Sequence, residues 1–170
     1  MKKIIFIMIA FALCFSGINV DAQGKYKFGH IDSNKLISLM PDRAQAQKKM
    51  EEFTKELEDA LKSMQDELQV KYQKFVAEQD SLSDVVKQTK AEEINNLDQR
   101  IQQFQVTAQQ ELQKKESELL QPIYEKAQEA IKEVGEENGF TYIYDGATLL
   151  YFSKDSQDVL PLVKKKLGIE

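Results

Sequence analysis

From Ser38 to Phe75, an apolar residue recurs every three or four positions among polar and charged ones, with one proline near the start and no glycine. This spacing places the apolar side chains on one face of an α-helix. Pro41 suits the first position of that helix, and Asp42 beside it favours the positive N-terminal end. The pattern predicts a helix from Pro41 to about Ala77.

The same period resumes after the polar segment Glu78–Asp84. Ser81, followed three residues later by Asp84, resembles a capping box and predicts that a second helix starts at Leu82. No glycine interrupts this helix before Gly135.

The end of the second helix is marked by Asn138-Gly139, a signal for a left-handed C-terminal cap. Pro122 interrupts the helical pattern near this end. A proline there removes one backbone hydrogen bond, so it is expected to kink the helix, and it is a candidate hinge.

The apolar positions of the two helices share one register. If the chain folds back near residue 80 or 81, seven apolar residues of the first helix each face one of the second, because the residue numbers of every pair add to 161 or 162. Two unrelated helices would not share a register, so we predict an antiparallel coiled-coil arm over residues 41–134, with its tip near 78–83. At 1.5 Å per residue, the roughly 30 residues of each helix that precede the base give an arm of roughly 45 Å. The predicted seam consists of Met50, Phe53, Leu57, Leu61, Met64, Leu68, Phe75, Val86, Ile94, Leu97, Ile101, Phe104, Ala108 and Leu112.

Both ends of the chain have a different pattern. Lys25–Ile31 alternates apolar and polar residues and predicts a strand, after which Asp32 or Ser33 can cap a short helix through Leu39. Thr141–Tyr144 and Ala147–Phe152 are further strand candidates. Asp145-Gly146 lies between them, which predicts a β-hairpin.

The C-terminal segment Asp158–Leu167 predicts a closing helix, with Pro161 in its first turn and three lysines near its negative end. The prediction is therefore an α+β fold: a small β-rich body, formed by residues 23–40 and 135–170, carries the long helical arm. Three strands make a marginal core, so association between copies through the body is expected. The residues expected to serve it are Phe28, Ile31, Tyr142, Tyr144, Leu149, Leu150, Tyr151 and Phe152.

Residues 1–22 have the features of a secretory signal peptide: two early lysines, a twelve-residue apolar run from Ile4 to Phe15, and small residues before Gln23. Lipidation of Cys14 is disfavoured because Leu13 precedes it. Without this segment the chain has no cysteine, and 21 basic against 27 acidic residues give a net charge of −6. The acidic balance argues against nucleic acid as the main partner.

Three stretches, FGHIDSNKLISLMP, LLQPIYEKAQEAIKEVGEENGFTYIYD and LLYFSKDSQDVLPLVKKKL, resemble the OmpH/Skp family of periplasmic chaperones. The resemblance covers nearly the whole chain after the signal peptide. It implies a homotrimer whose bodies join in a β-barrel and whose arms enclose a cavity. Unfolded outer-membrane proteins are held there without ATP.

The charge of this chain departs from that family pattern. Well-known members are basic, a property linked to acidic partners and to lipopolysaccharide. Here the tip half, residues 70–100, has five basic and six acidic residues. Lipopolysaccharide binding is therefore doubtful.

Contact with unfolded clients is expected from apolar residues that lie off the seam: Val70, Val76, Val85 and Val106. An enzyme is not expected, because the single histidine, His30, stands alone and no phosphate-binding glycine loop occurs; no cofactor or metal is predicted. The alternative hypothesis is a structural spacer or adaptor of the cell envelope that binds one folded partner.

Overall fold

The computed structural model of the protein describes residues 26–169. Residues 1–22, the predicted signal peptide, lie outside this range. The described chain forms a small α/β body from its two ends and a long helical pair from its middle. In chain order the elements are β1 (Phe28–Ile31), α1 (Ser33–Leu39), α2 (Pro41–Glu78), a 3₁₀ turn (Gln79–Ser81), α3 (Asp84–Glu137), β2 (Tyr142–Asp145), β3 (Gln157–Asp158) and α4 (Leu160–Leu167).

The helices follow the sequence pattern closely. Asp32 caps α1 by accepting a hydrogen bond from the Lys35 amide, and Pro41 lies in the first turn of α2. At the far end of α3, Asn138 donates to the Val134 carbonyl, and Gly139 adopts a φ of +65°. These boundaries confirm the predicted two-helix arm and its left-handed C-terminal cap.

The tip between the helices differs from the prediction. The Ser81 hydroxyl donates to the Glu78 carbonyl, at 2.7 Å, instead of capping the next helix. Leu82 is extended, and α3 begins at Asp84 with Ser83 before it, whose side chain makes no capping bond. The capping-box prediction is wrong. The last carbonyls of α2 have no partner within the helix, and one of them accepts the hydrogen bond of the Ser81 hydroxyl.

The sheet is parallel, with strand order β2-β1-β3. The predicted Asp145-Gly146 hairpin is therefore wrong, and residues 147–152 form no strand within the described chain. Asp145 accepts hydrogen bonds from the Ser33 hydroxyl and the Ala147 amide, and the Gly146 amide donates to Ile31 at 2.7 Å. Gly146 does not have the positive φ that a type I′ turn requires, so the chain turns away from the sheet.

One apolar core joins the body to the base of the arm. Side chains from β1, α1, both arm helices and α4 meet beneath the sheet, so the last turns of α3 belong to the body core as well as to the arm. Buried in this cluster are Ile31, Leu36, Ile37, Met40, Ala46, Ile123, Ala127, Ala130, Val134, Val159, Leu160 and Val163.

The closing helix α4 is fixed to α3 by Lys166. Its ammonium group lies 2.9 Å from a Glu133 carboxylate oxygen and 2.6 Å from one of Glu137. The hydrogen bond that Lys166 donates to Glu137, followed by the one that it donates to Glu133, raises the pKa of Lys166 above its ordinary value. The predicted C-terminal helix is confirmed, with its left-handed end at Gly168.

Candidate functional site

Most of the residues predicted to form the arm seam are shielded from solvent. Of the fourteen, thirteen are buried or half-buried, and Leu97 and Ile101 are the most buried, at 3% and 5% exposure. Val86 is the exception, with 41% exposed. It lies in the first turn of α3, which begins two residues later than predicted, and the adjacent Lys87 is half-buried.

Three polar contacts cross the arm. Lys71 lies 3.7 Å from Glu93, and Lys126 lies 2.7 Å from Asp42. The Lys115 ammonium group lies 5.5 Å from the centre of the Phe53 ring.

The residue numbers of these three pairs add to 164 and 168, above the predicted 161 or 162. The direction of this difference follows from geometry, because helical side chains lean toward the N-terminus of their own helix. In this antiparallel pair the side chains of α2 lean toward the body and those of α3 lean toward the tip. Two side chains therefore touch when the α2 residue lies nearer the tip than the α3 residue, which raises the sum of their residue numbers. The seven apolar pairings themselves stay a prediction.

The four off-seam valines are all exposed. Their exposed fractions range from 47% at Val76 to 76% at Val85. Tyr72, 58% exposed, lies one helical turn from Val76 on the same face, so the two form a small apolar surface. Sequence reasoning missed Tyr72, although its spacing of four residues from Val76 is a usable signal.

The outer face of the sheet carries the densest exposed aromatic surface in the described chain. Strand alternation turns Phe28 outward beside Tyr142, with their rings 6.2 Å apart and nearly parallel. Tyr144 follows, with its ring 5.8 Å from that of Tyr142. Tyr26, 72% exposed and 6.4 Å from Phe28, extends this row and was not predicted, although it alternates with Phe28 in sequence.

The segment between β2 and β3 borders this aromatic surface. Leu150 is fully exposed and Tyr151 is 80% exposed, while Phe152 packs on the His30 ring at 4.0 Å. His30 Nδ1 lies 2.9 Å from the Ser156 hydroxyl. Tyr151, Phe152 and Ser156, together with Tyr144 and Phe28 of the sheet, line a groove of about 620 Å³.

The predicted body residues therefore divide into two groups. Ile31 faces inward and is 2% exposed, so it belongs to the core of its own chain. Leu149 is half-buried, and the other six are exposed. A contiguous exposed apolar patch is a feature that protein–protein interaction sites share.

Pro122 lies inside α3, at the base of the arm, and helical structure continues on both sides of it. It lines a groove of about 350 Å³ between the helices, next to Leu119 and Ala46. A second groove lies along the same helices and shares Ala46 and Leu119. The two helices thus enclose open space on two sides where they approach the body.

Between residues 26 and 169 there is no helix that meets the length and hydropathy needed to cross a membrane. Within the same range no three His, Cys, Asp or Glu side chains gather as a metal site would require. His30 is held by Phe152 and Ser156, as described above, with no carboxylate hydrogen-bonded to its ring among the described residues.

Comparison with known proteins agrees with this architecture. The family model described as outer membrane protein (OmpH-like) matches residues 27–167. The chain is 23% identical over 146 residues to chaperone protein Skp of Vibrio cholerae, which covers 84% of this chain and 86% of the relative. It is 29% identical over 128 residues to an uncharacterized protein of Aquifex aeolicus, covering 75% and 77%.

Among solved structures, a protein from Caulobacter crescentus described as an OmpH-like outer membrane chaperone superposes with a TM-score of 0.73. The match covers 84% of this chain and 83% of the other, at 12% sequence identity. At that identity the likeness shows that the two proteins share the fold.

Proposed function

Because this chain belongs to the OmpH family, we propose that it is a periplasmic chaperone that holds unfolded outer-membrane proteins, its clients, and prevents their aggregation without nucleotide hydrolysis. The observation that carries the proposal is the arm: two long helices that leave the body and expose scattered valines. The apolar side chains of the seam pack between the two helices, whereas the off-seam valines are exposed and can contact a client.

The holding mechanism that we propose is multivalent. A single exposed valine offers little apolar area, so each contact is weak and short-lived. Several arms that act on one unfolded chain raise the effective concentration of the remaining contacts once the first has formed. Affinity then comes from the number of contacts, and no single arm residue is essential.

Several arms require several copies, and we propose a homotrimer joined through the outer face of the sheet. The exposed aromatic row and the unpaired segment 147–152 support this assembly, because each would otherwise stay in water. The arms would then surround a common space. Pro122, at the base of α3, is the residue that we propose as part of a hinge.

The periplasmic location depends on the N-terminal segment. We propose that residues 1–22 direct export and are cleaved, so that the secreted protein begins at Gln23. N-terminal sequencing of the protein from a periplasmic extract tests this. A chain that retains Met1 would contradict export by a cleaved signal.

The second candidate function is an adaptor that binds one folded partner through the arm tip. It is favoured by one observation: Val70, Tyr72, Val76, Val85 and Val86 are all exposed in the distal part of the arm. An adaptor would depend on a few dominant residues there. A chaperone would tolerate each single substitution.

An aggregation assay separates the two functions. A denatured outer-membrane protein is diluted into buffer with and without the purified mature protein, and light scattering is followed. The chaperone account predicts suppression near one trimer per client, for more than one client. Unchanged scattering, together with one tight folded partner in a pull-down, would favour the adaptor.

A further inference from the structure

The larger groove at the base of the arm combines an apolar floor with an acidic rim. It has a volume of about 590 Å³, and Ala46, Met50, Leu119 and Leu120 form its floor. On α2 it extends over residues 43–59, which is roughly 24 Å at 1.5 Å per residue. That length accommodates about seven residues of extended polypeptide at 3.3 Å each.

The rim charges are unbalanced. Four acidic side chains line this groove against two basic ones, Arg43 and Lys55. Within residues 26–169, none of the four acids has an ion-pair partner within 4.0 Å; Glu51 accepts a hydrogen bond from Gln47, and the other three are Glu58, Asp59 and Glu116. All seven salt bridges in that range join other residues. The smaller groove on the other side differs, because its Asp42 and Lys126 pair with each other.

The charge of the whole arm excludes a second arm as a favourable occupant. Residues 41–134 contain 14 basic and 20 acidic residues, whereas the rest of the chain after residue 22 has seven of each. The net charge of −6 thus resides in the arm, so a second arm placed in the groove would bring like charge to an acidic rim.

We propose that this groove is a binding site for extended segments of unfolded polypeptide in which apolar residues alternate with lysine or arginine. The apolar side chains would lie on Met50, Leu119 and Leu120, and the basic ones would reach Glu58, Asp59 and Glu116. This inference rests on the proposed chaperone function and adds a preference to it: cationic segments are held in preference to anionic ones. Because the rim is exposed, the preference weakens as salt screens it.

The test uses two fluorescein-labelled peptides about 12 residues long, identical in their apolar residues, one with lysine and one with glutamate at the alternate positions. Anisotropy titrations with the mature protein should show binding of the lysine peptide that is at least threefold tighter at low salt. Neutralisation of the rim by Glu58→Gln, Asp59→Asn and Glu116→Gln should weaken lysine-peptide binding about threefold to tenfold, as expected for exposed charge pairs.

A matched control makes the same charge change at the tip, with Glu78→Gln, Asp80→Asn and Glu92→Gln. It should leave lysine-peptide binding within twofold of the unmodified protein. If both triple variants weakened lysine-peptide binding equally, only the overall charge of the protein would matter, and the proposal that the groove is the binding site would be overturned. Equal binding of the two peptides, tighter binding of the glutamate peptide, or no binding of either would overturn it as well.

The aggregation assay with a denatured outer-membrane protein separates this inference from the function beneath it. If the protein suppresses aggregation but shows no preference between the two peptides, the proposed role of the groove is refuted and the proposed chaperone function is retained. Failure to suppress aggregation refutes the chaperone function itself.

Discussion

Gly29 lies in β1 where a neighbouring side chain approaches the backbone closely. A Cβ at this position would lie 2.9 Å from Val159 Cγ1 and 3.0 Å from the Phe140 ring. Val159 is fully buried and cannot move aside freely. Gly29→Ala should therefore lower the free energy of unfolding by about 1–3 kcal/mol, as measured by urea denaturation.

The control for this substitution is Gly146→Ala. A Cβ there meets its nearest atom, the Ile31 carbonyl oxygen, at 3.6 Å, and Gly146 has no positive φ. Its effect should stay within about 0.5 kcal/mol, or be slightly stabilising through the unfolded chain. If the two variants were equally stable, close packing at Gly29 would not be the cause.

Asp145 links β2 to α1 through the Ser33 hydroxyl, and we expect this link to make the stability of the body depend on pH in the acid range. The hydrogen bond from the Ser33 hydroxyl holds the pKa of the Asp145 carboxyl below its ordinary value. A carboxylate with a lowered pKa contributes stability above the unfolded-state pKa of about 3.9, and that contribution is lost as the pH falls through the folded-state pKa.

Ser33→Ala removes this hydrogen bond. The variant should be less stable than the unmodified protein at pH 7, and the difference should shrink as the pH is lowered from about 5 to 3. Urea denaturation across that range measures it. A difference that stayed constant with pH would show that the Ser33 hydroxyl acts on stability without influencing the Asp145 titration.

At the scale of elements, the sequence was sufficient wherever local chemistry determined the structure. Pro41, Gly139 and the apolar period of 3.6 residues located both arm helices, and the long stretches without glycine determined their extent. Prediction from the sequence failed where a distant segment of the chain forms hydrogen bonds with the polar groups of a local motif. Asp145-Gly146 has the composition of a hairpin turn, but its polar groups bond to Ser33 and Ile31, more than a hundred residues away.

The candidate surfaces were predictable to different degrees. The off-seam valines were predicted from helical geometry alone. The seam fixes one face of each helix, and the spacing of the valines places them on the other faces. The acidic groove was not found, since it depends on which turns of α2 and α3 lie together at the base. The assignment of Val86 to the seam failed in the first turn of α3, where the side chain is 41% exposed.

The register of the arm can be measured by disulfide crosslinking. Cysteines at Leu68 and Ile94 should form a bond within one chain under mild oxidation, because both face the seam and the nearby Lys71 and Glu93 are 3.7 Å apart. Leu68 paired with Phe104 should not crosslink, since ten residues along the second helix add about 15 Å. Equal yields on non-reducing gels would show that the two helices have no fixed register.

At the scale of the whole molecule, the proposed trimer rests on the aromatic side chains that the single chain leaves exposed. Light scattering on the mature protein should give a mass of about 50 kDa, three copies, with an elongated shape. Replacement of Tyr142 and Phe28 by serine should weaken the assembly, because their stacked rings lie on the exposed face of the sheet. A stable, folded monomer of the unmodified protein would contradict the trimer.

The central claim is that the arms hold the client while the body assembles. Removal of Glu67–Ile94, with a short Gly-Ser turn to close the cut, takes 14 residues from each side of the fold-back point, of which 12 belong to α2 and 11 to α3. It leaves intact the buried core, which extends up the arm only through Ala46 and the α3 residues from Ile123 onward. The groove at the base, lined by residues 43–59 and 116–120, also lies outside the cut.

The decisive measurement is the potency of this shortened protein in suppressing the aggregation of a denatured outer-membrane protein, followed by light scattering beside the full-length protein. We expect a trimer that unfolds cooperatively but has lost most of its potency, because fewer weak contacts act at once. Full potency in the shortened trimer would contradict the claim that the arms are the holding device.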